Sequence, residues 1–312
     1  MKEAQMYRKI VVPLDGSPLG ERALPLAVEL ARRTGATLHL VHVHLPVMLP
    51  AVIDRPIPDS ELDSDLYKQM VEMLSILVTR LQAVANVPIE TKLIYAERNT
   101  SIAANLESYA KEIEADLLVM TTHGRSGFGR MWLGSVADEL IRTLSLPILL
   151  VRPDEQLPAF DERWRLDRTL VSVNGTSTSE SILPHAKAFA KIFESETVLL
   201  RIVEPVILSR YAADATLVQV DQDLLDQTQA EARAYLDRIA QEFGEQKVIV
   251  RDVVDAQVAL ALLDAAEKHE VGMIAMATHG RQGLNRLLVG SVADKVLRSA
   301  NVPLLVYRPE SD

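Results

Sequence analysis

The chain has 312 residues, 48% of them apolar and 24% charged, which at roughly 100 to 200 residues per domain predicts about two globular domains and excludes disorder, collagen-like repeats and mini-protein scaffolds. A net charge of -10 argues against broad adhesion to nucleic acid or anionic membranes, and the absence of cysteine excludes disulfides, thiolate metal sites and a Cys nucleophile. The expected address is a reducing cytoplasm: the early apolar run Ile10 to Leu14 is too short for a secretory signal, and no stretch approaches the ~20 residues that span a bilayer.

Short β-branched or Leu-rich runs alternate along the first half with longer segments of 3.6-residue period, the pattern of parallel strands joined by crossover helices. It predicts strand Lys9 to Leu14, helix Pro18 to Thr34 with Ser17 as N-cap and Pro18 at N1, strand Ala36 to Val43, and helix Glu61 to Val84. Strand Ile89 to Ala96, helix Ser101 to Ile113, strand Asp116 to Met120, helix Ser135 to Thr143 and strand Pro147 to Val151 follow. Between the second strand and the next helix, His44 to Asp59 carries four prolines. It is expected to form a semi-rigid flap or docking surface kept out of the sheet. The second half repeats this order, with strands near Arg168, Glu196, Lys247, Gly272 and Pro303.

The clearest feature is an internal repeat. Thr122 to Pro153 and Thr278 to Pro309 align without a gap and are identical at 16 of 32 positions. Between the halves, the charged and proline-bearing stretch Arg152 to Asp167 has no period and reads as a linker. The expected organisation is a domain over 1–152, a linker over 153–167 and a second domain over 168–312. The fold class is α/β: two tandem, doubly wound, five-stranded parallel-sheet domains of Rossmann-like type.

Such sheets bind ligands at the carboxyl ends of their strands, where the winding reverses. There the first half places Asp15-Gly16-Ser17, Val43-His44 and Thr121-Thr122-His123-Gly124. Gly124, Gly127 and Gly134 allow the main chain to approach a ligand closely, and Ser135 is placed to cap the following helix. A helix N-terminus offers unpaired N–H groups and partial positive charge, so phosphate is the natural guest, with Arg125 and Arg130 nearby. The same nine-residue gap recurs between Gly280 and Gly290, again followed by Ser-Val-Ala-Asp. Without its partners Asp15 reads as an Asx-turn residue; with them, a carboxylate suited to a diol.

These motifs resemble the universal stress proteins, in particular their tandem two-domain members. The phosphate pattern of that family is Gly, two residues, Gly, nine residues, Gly-Ser or Gly-Thr. Here its second part stands twice, at His123-Gly124 to Gly134-Ser135 and His279-Gly280 to Gly290-Ser291, while Thr121 and Ala277 replace the leading glycine. The stretches IVVPLDGS from Ile10 and ADLLVM from Ala115 match as well. The resemblance implies an adenine nucleotide alpha hydrolase-like fold that binds ATP, alone or with Mg. It assigns Asp15 to the ribose hydroxyls, Pro13 to the adjoining turn and the Val43 backbone to adenine. Gly124, Gly127, Gly134 and Ser135 would hold the phosphates. The implied role is stress response or regulation, with nucleotide occupancy changing conformation or protein partner.

In the second half Asn174 stands for Asp15 and Ser172 for Pro13, while Gly280, Gly283, Gly290 and Ser291 keep the loop; a weaker or differently selective nucleotide site is expected. Glu97-Arg98-Asn99 and Asp255-Ala256-Gln257 replace the Gly-x-Pro common in relatives. His42 and His44 share a strand face, but an isolated pair is weak evidence for a metal, and none is expected. His123 and His279 are read as turn-stabilising, and Asp63 and Asp65 as solvated helix-face residues. No catalytic residue is assigned, since no P-loop, GxGxxG or Ser-His-Asp order is present. Two alternatives stand beside nucleotide regulation: an interaction module that binds no nucleotide, and slow ATP hydrolysis or autophosphorylation at Ser135 or Ser291. The last strands, Pro147 to Val151 and Pro303 to Tyr307, are apolar edges expected to pair as an intramolecular pseudo-dimer, with further homodimerisation open.

Overall fold

The computed structural model describes residues 6–46, 48–49, 57–58, 60–97, 99–122, 133–152, 164–205, 207–212, 215–278 and 290–310. The chain divides into two compact units, Met1–Trp164 and Arg165–Asp312.

The first unit runs β1 (Lys9–Pro13), a 3-10 turn (Gly20–Ala23), α1 (Leu24–Thr34), β2 (Thr37–His44), β3 (Met48–Leu49), β4 (Ile57–Pro58), α2 (Ser60–Val84), β5 (Ile89–Tyr95), α3 (Ile102–Glu112), β6 (Leu117–Thr121), α4 (Ser135–Thr143) and β7 (Ile148–Val151). Its five main strands are parallel, in the order β7-β6-β1-β2-β5. The chain therefore winds outward from β1 through β2 to β5, then crosses back to β6 and β7. The crevice where the direction reverses opens at the carboxyl ends of β1 and β6. Ile10, Val11, Val12, Leu117, Leu118 and Val119 are fully buried, because crossover helices cover both faces of a parallel sheet and a central strand becomes an unbroken apolar run.

Several boundaries differ from the sequence reading for local reasons. Regular helix begins at Leu24 rather than Pro18, with Pro25 in its first turn. Ser17 is committed to the preceding turn: its Oγ donates to Asp15 Oδ1 at 2.7 Å and accepts from the Gly20 amide at 3.1 Å. The chain thus passes through a 3-10 turn before the helix. Gly35, at φ +71°, closes α1 through its N–H to the Ala31 carbonyl. Ser135 is the first residue of α4; the N-cap is Gly134. The proline-bearing segment after β2 contains a two-residue antiparallel ladder, Met48 opposite Pro58 and Leu49 opposite Ile57, separate from the main sheet.

The second unit repeats the plan as β8 (Arg168–Ser172), α5 (Ser177–Glu180), α6 (Leu183–Phe193), β9 (Glu196–Val203), β10 (Ile207–Ala212), β11 (Ala215–Val220), α7 (Gln222–Gln241), β12 (Val248–Val254), α8 (Val258–Lys268), β13 (Met273–Ala277), α9 (Ser291–Ser299) and β14 (Leu304–Tyr307). Its parallel order is β12-β9-β8-β13-β14. An antiparallel hairpin, β10 with β11, follows β9. Among the described residues no helix is long and apolar enough to cross a membrane.

Candidate functional site

The carboxyl ends of β1, β2 and β6 and the first turn of α4 enclose a cavity of about 420 Å³ in the first unit. Five of the residues singled out in the sequence line it: Pro13, Asp15, Val43, Gly134 and Ser135. Gly124 and Gly127 lie outside the described residues, as do Gly280 and Gly283 of the second unit and the two loop histidines. Leu45, Leu66, Met70 and Met120 add an apolar wall, and Gly20, His42 and His44 also reach the cavity. A pocket of this size, mostly apolar with a few convergent polar groups, has the character of a small-molecule site.

Backbone bonds fix both edges. The Leu14 amide bonds to the Val41 carbonyl at 2.8 Å, which holds the Asp15 turn against β2. His42 Nδ1 lies 2.7 Å from the Leu14 carbonyl; a carbonyl only accepts, so Nδ1 carries the proton. Thr122 donates its N–H to Val151 and accepts from the Gly134 N–H at 2.8 Å, which returns the loop end to β6 and starts α4 at the cavity. The first intrahelical bond is Asp138 to Gly134, so the N–H groups of Ser135, Val136 and Ala137 precede the ladder, at the positive end of the helix dipole.

Asp15 Oδ1 accepts from the Ser17 N–H at 2.9 Å and from its hydroxyl at 2.7 Å, with Gly16 at φ +79°. The residue is thus an Asx-turn former as well as a wall of the cavity. Gly20 was not singled out in the sequence, yet a Cβ there would stand 2.5 Å from Asp15 Oδ1. Asp63, expected to be solvated, is instead buried at 9% exposure against His44 and Tyr95; Asp65 is exposed and pairs with Lys68. His39 is not part of the cavity lining; it lies 3.1 Å from the Tyr109 hydroxyl, and burial lowers its pKa and raises that of Tyr109. Among the described residues no group of three or more His, Cys, Asp or Glu side chains is placed to hold a metal.

The sequence profile of the universal stress protein family matches residues 6–152 and again residues 166–308. The chain belongs to that family. A universal stress protein of Mycolicibacterium smegmatis is 26% identical over 304 residues, covering 96% of this chain and 97% of its own length. In structure the chain is similar to a universal stress protein of Archaeoglobus fulgidus, at TM-score 0.72 and 17% identity over 98% of this chain and all of the other. A further solved universal stress protein, in complex with cAMP, matches 47% of this chain at 18% identity and TM-score 0.36.

Within this universal stress protein the second unit keeps the turn and changes its surroundings. Asn174 Oδ1 accepts from the Thr176 N–H and hydroxyl at 3.1 and 2.7 Å, with Gly175 at φ +87°. Strand register equates Ser172 with Pro13, since each faces its neighbour at Leu200 or Val41. One residue further, Arg201 takes the place of His42, its guanidinium 5.2 Å from the Tyr235 ring centre. Ser179 takes the place of Gly20 and bonds back to the turn through Asn174 N and Thr176 O. Gly290 caps α9, and Ser291 is its first residue.

Proposed function

We propose that the first unit binds an adenine nucleotide in the cavity and that occupancy governs the conformation or the partners of this stress-response protein. The observation that carries this is convergence. One cavity has a helix N-terminus at one side, a carboxylate-bearing turn between, and an apolar wall at the other. That is the order of phosphate, sugar and base in a nucleotide. Gly124, Gly127, Gly134 and Ser135 are assigned to the phosphates, Asp15 and Pro13 to the sugar and its turn, and the Val43 backbone to adenine. A divalent ion such as Mg would accompany the phosphates and neutralise part of their charge. In the second unit Asn174, Gly280, Gly283, Gly290 and Ser291 are assigned to a weaker site.

The Asx turn at Asp15 supports a second reading, an interaction module in which the carboxylate only shapes the chain. Calorimetry with ATP, ADP and cAMP on the parent and on Asp15→Ala separates the two. The nucleotide reading expects binding by the parent and at least a tenfold loss in the variant. Absence of binding to the parent leaves the interaction module.

A further inference from the structure

Beside the apolar wall of the cavity lies a polar cluster with no role in the reading above, its His44 and Asp63 buried and its Tyr95 exposed. His44, 5% exposed at the end of β2, lies with Nε2 2.8 Å from Asp63 Oδ1. Tyr95, the residue paired with His44 on β5, donates its hydroxyl to Asp63 Oδ2 at 2.7 Å. Both carboxylate oxygens thus face donors, and the Tyr67 and Tyr95 rings stand 5.7 and 5.4 Å from the imidazole. Burying a carboxylate and an imidazole together is at best weakly stabilising compared with apolar packing. The second unit shows that the fold does not require it. There Val203 occupies the strand position of His44 and pairs with Val254 as His44 pairs with Tyr95. Leu225 and Ala232 of α7 pack with Val203 in one apolar cluster, against which Val254 also packs, while the position of Asp63 itself falls on the exposed Gln222. One pair of strand ends is thus finished twice, once with His and Tyr against an Asp and once with Val and Val against a Leu.

The polar version differs in that His44 lines the cavity. It stands at the end of β2, and β1 separates β2 from β6. Two strand spacings set it about 10 Å from the phosphate side, on the side of the base. With Nε2–H committed to Asp63, a neutral imidazole keeps its lone pair on Nδ1, so it accepts and does not donate. No hydrogen bond engages Nδ1 among the described residues. We propose that His44 is the residue that selects the base in the first unit, its tautomer fixed by Asp63, and that it favours a purine with an amino group at position 6 over a 6-oxo purine. This inference rests on the nucleotide reading above. An amino group donates to the Nδ1 lone pair, whereas an oxo group would oppose it with another lone pair. Asp63 and Tyr95 are positioning residues.

The test is calorimetry at pH 8 with ATP and ITP, which differ in the amino or oxo group at that position. Three proteins are compared: the parent, Asp63→Asn, and the triple variant His44→Val, Asp63→Leu, Tyr95→Val, which makes the cluster apolar and puts at the two strand positions the residues that the second unit carries there. The parent should prefer ATP at least tenfold. In both variants the preference should fall to within about threefold, because an amide at position 63 can donate or accept and no longer fixes the imidazole proton. A merely structural role would weaken both nucleotides together and leave the ratio unchanged. A parent that binds the two equally, or an unchanged ratio in a folded variant, overturns the inference while leaving the site intact. A parent that binds neither overturns the nucleotide reading and this inference with it. Asp63→Asn, which replaces one oxygen by nitrogen, decides the matter if the triple variant does not fold.

Discussion

Gly20→Ala tests the geometry of the sugar side most sharply. The added methyl would stand 2.5 Å from Asp15 Oδ1, closer than the 3.0 Å below which side-chain Cβ contacts are essentially unknown. The turn backbone is fixed, so the carboxylate must move by at least about half an ångström. That movement pulls Oδ1 from the Ser17 N–H and hydroxyl, now at 2.9 and 2.7 Å, and turns the carboxylate from its present aim. A hydrogen bond to a charged group contributes roughly 1.5–3 kcal/mol. Loss of the proposed sugar contacts should therefore weaken ATP binding by about tenfold to a hundredfold. Folding should survive, because Gly20 has no positive φ to forfeit and the second unit carries Ser179 at the equivalent place with its turn intact. Calorimetry gives the affinity, and thermal unfolding should show a midpoint within a few degrees of the parent. A folded variant with unchanged ATP affinity would refute the claim that the Asp15 carboxylate meets the ligand.

The converse pair, Asn174→Asp with Ser179→Gly in an Asp15→Ala background, should raise ATP affinity of the second unit at least tenfold; no gain in a titration would show that other residues limit that site. His185 packs against Tyr307, and burial pushes its pKa down to about 4. The folded state thus holds a neutral imidazole, and its stabilisation is full above the ordinary value of 6.5 and is lost as pH falls from 6.5 toward 4, by about 3 kcal/mol at most. Urea unfolding at pH 7 and 4.5 should show a smaller drop for His185→Phe than for the parent; equal drops would count against it. Finally, His44→Val alone should destabilise by about 1–3 kcal/mol, because it takes the imidazole from one oxygen of a buried Asp63 while the Tyr95 hydroxyl stays on the other, whereas the triple replacement should lie within about 1 kcal/mol of the parent or above it. Chemical denaturation of the two side by side measures the difference.

The elements legible in the sequence were those with strong periodicity. β1, β6 and β7 are unbroken apolar runs, and α4 spans Ser135 to Thr143 as its pattern predicts. Boundaries failed where one polar side chain had two competing uses. Ser17 looked like a helix cap but serves the Asx turn, and Ser135 yields the cap position to Gly134. The site was legible where residue type and strand end coincide, as at Asp15 and Val43. It was illegible where the decisive fact is long-range. Nothing local marks Gly20 as the neighbour of Asp15, or Asp63 as inward-facing, since Asp63 stands in the same acidic turn as the exposed Asp65. The repeat marks only the strand part of the cluster: where the first copy reads His44 and Tyr95, the second reads Val203 and Val254.

Comparison of the two units also indicates how the ends of the site divide. On the phosphate side the start of the helix is kept: Gly134-Ser135 and Gly290-Ser291 begin helices of equal length, and Thr122 and Thr278 bond to the last strand in the same way. Changes gather on the β1 and β2 side, where Asp15, Gly20, His42 and His44 become Asn174, Ser179, Arg201 and Val203. The fold does not force these changes, since the Asx turn survives Asp15 becoming Asn174 and the β2–β5 pairing survives His44 becoming Val203. Arg201 adds a fixed positive charge beside the turn, within 3.4 Å of where a Cβ on Gly175 would stand, which favours an acceptor-rich partner where the first unit offers a carboxylate and a lone pair. The two units are therefore expected to share an anion-binding end and to differ in what they hold at the other.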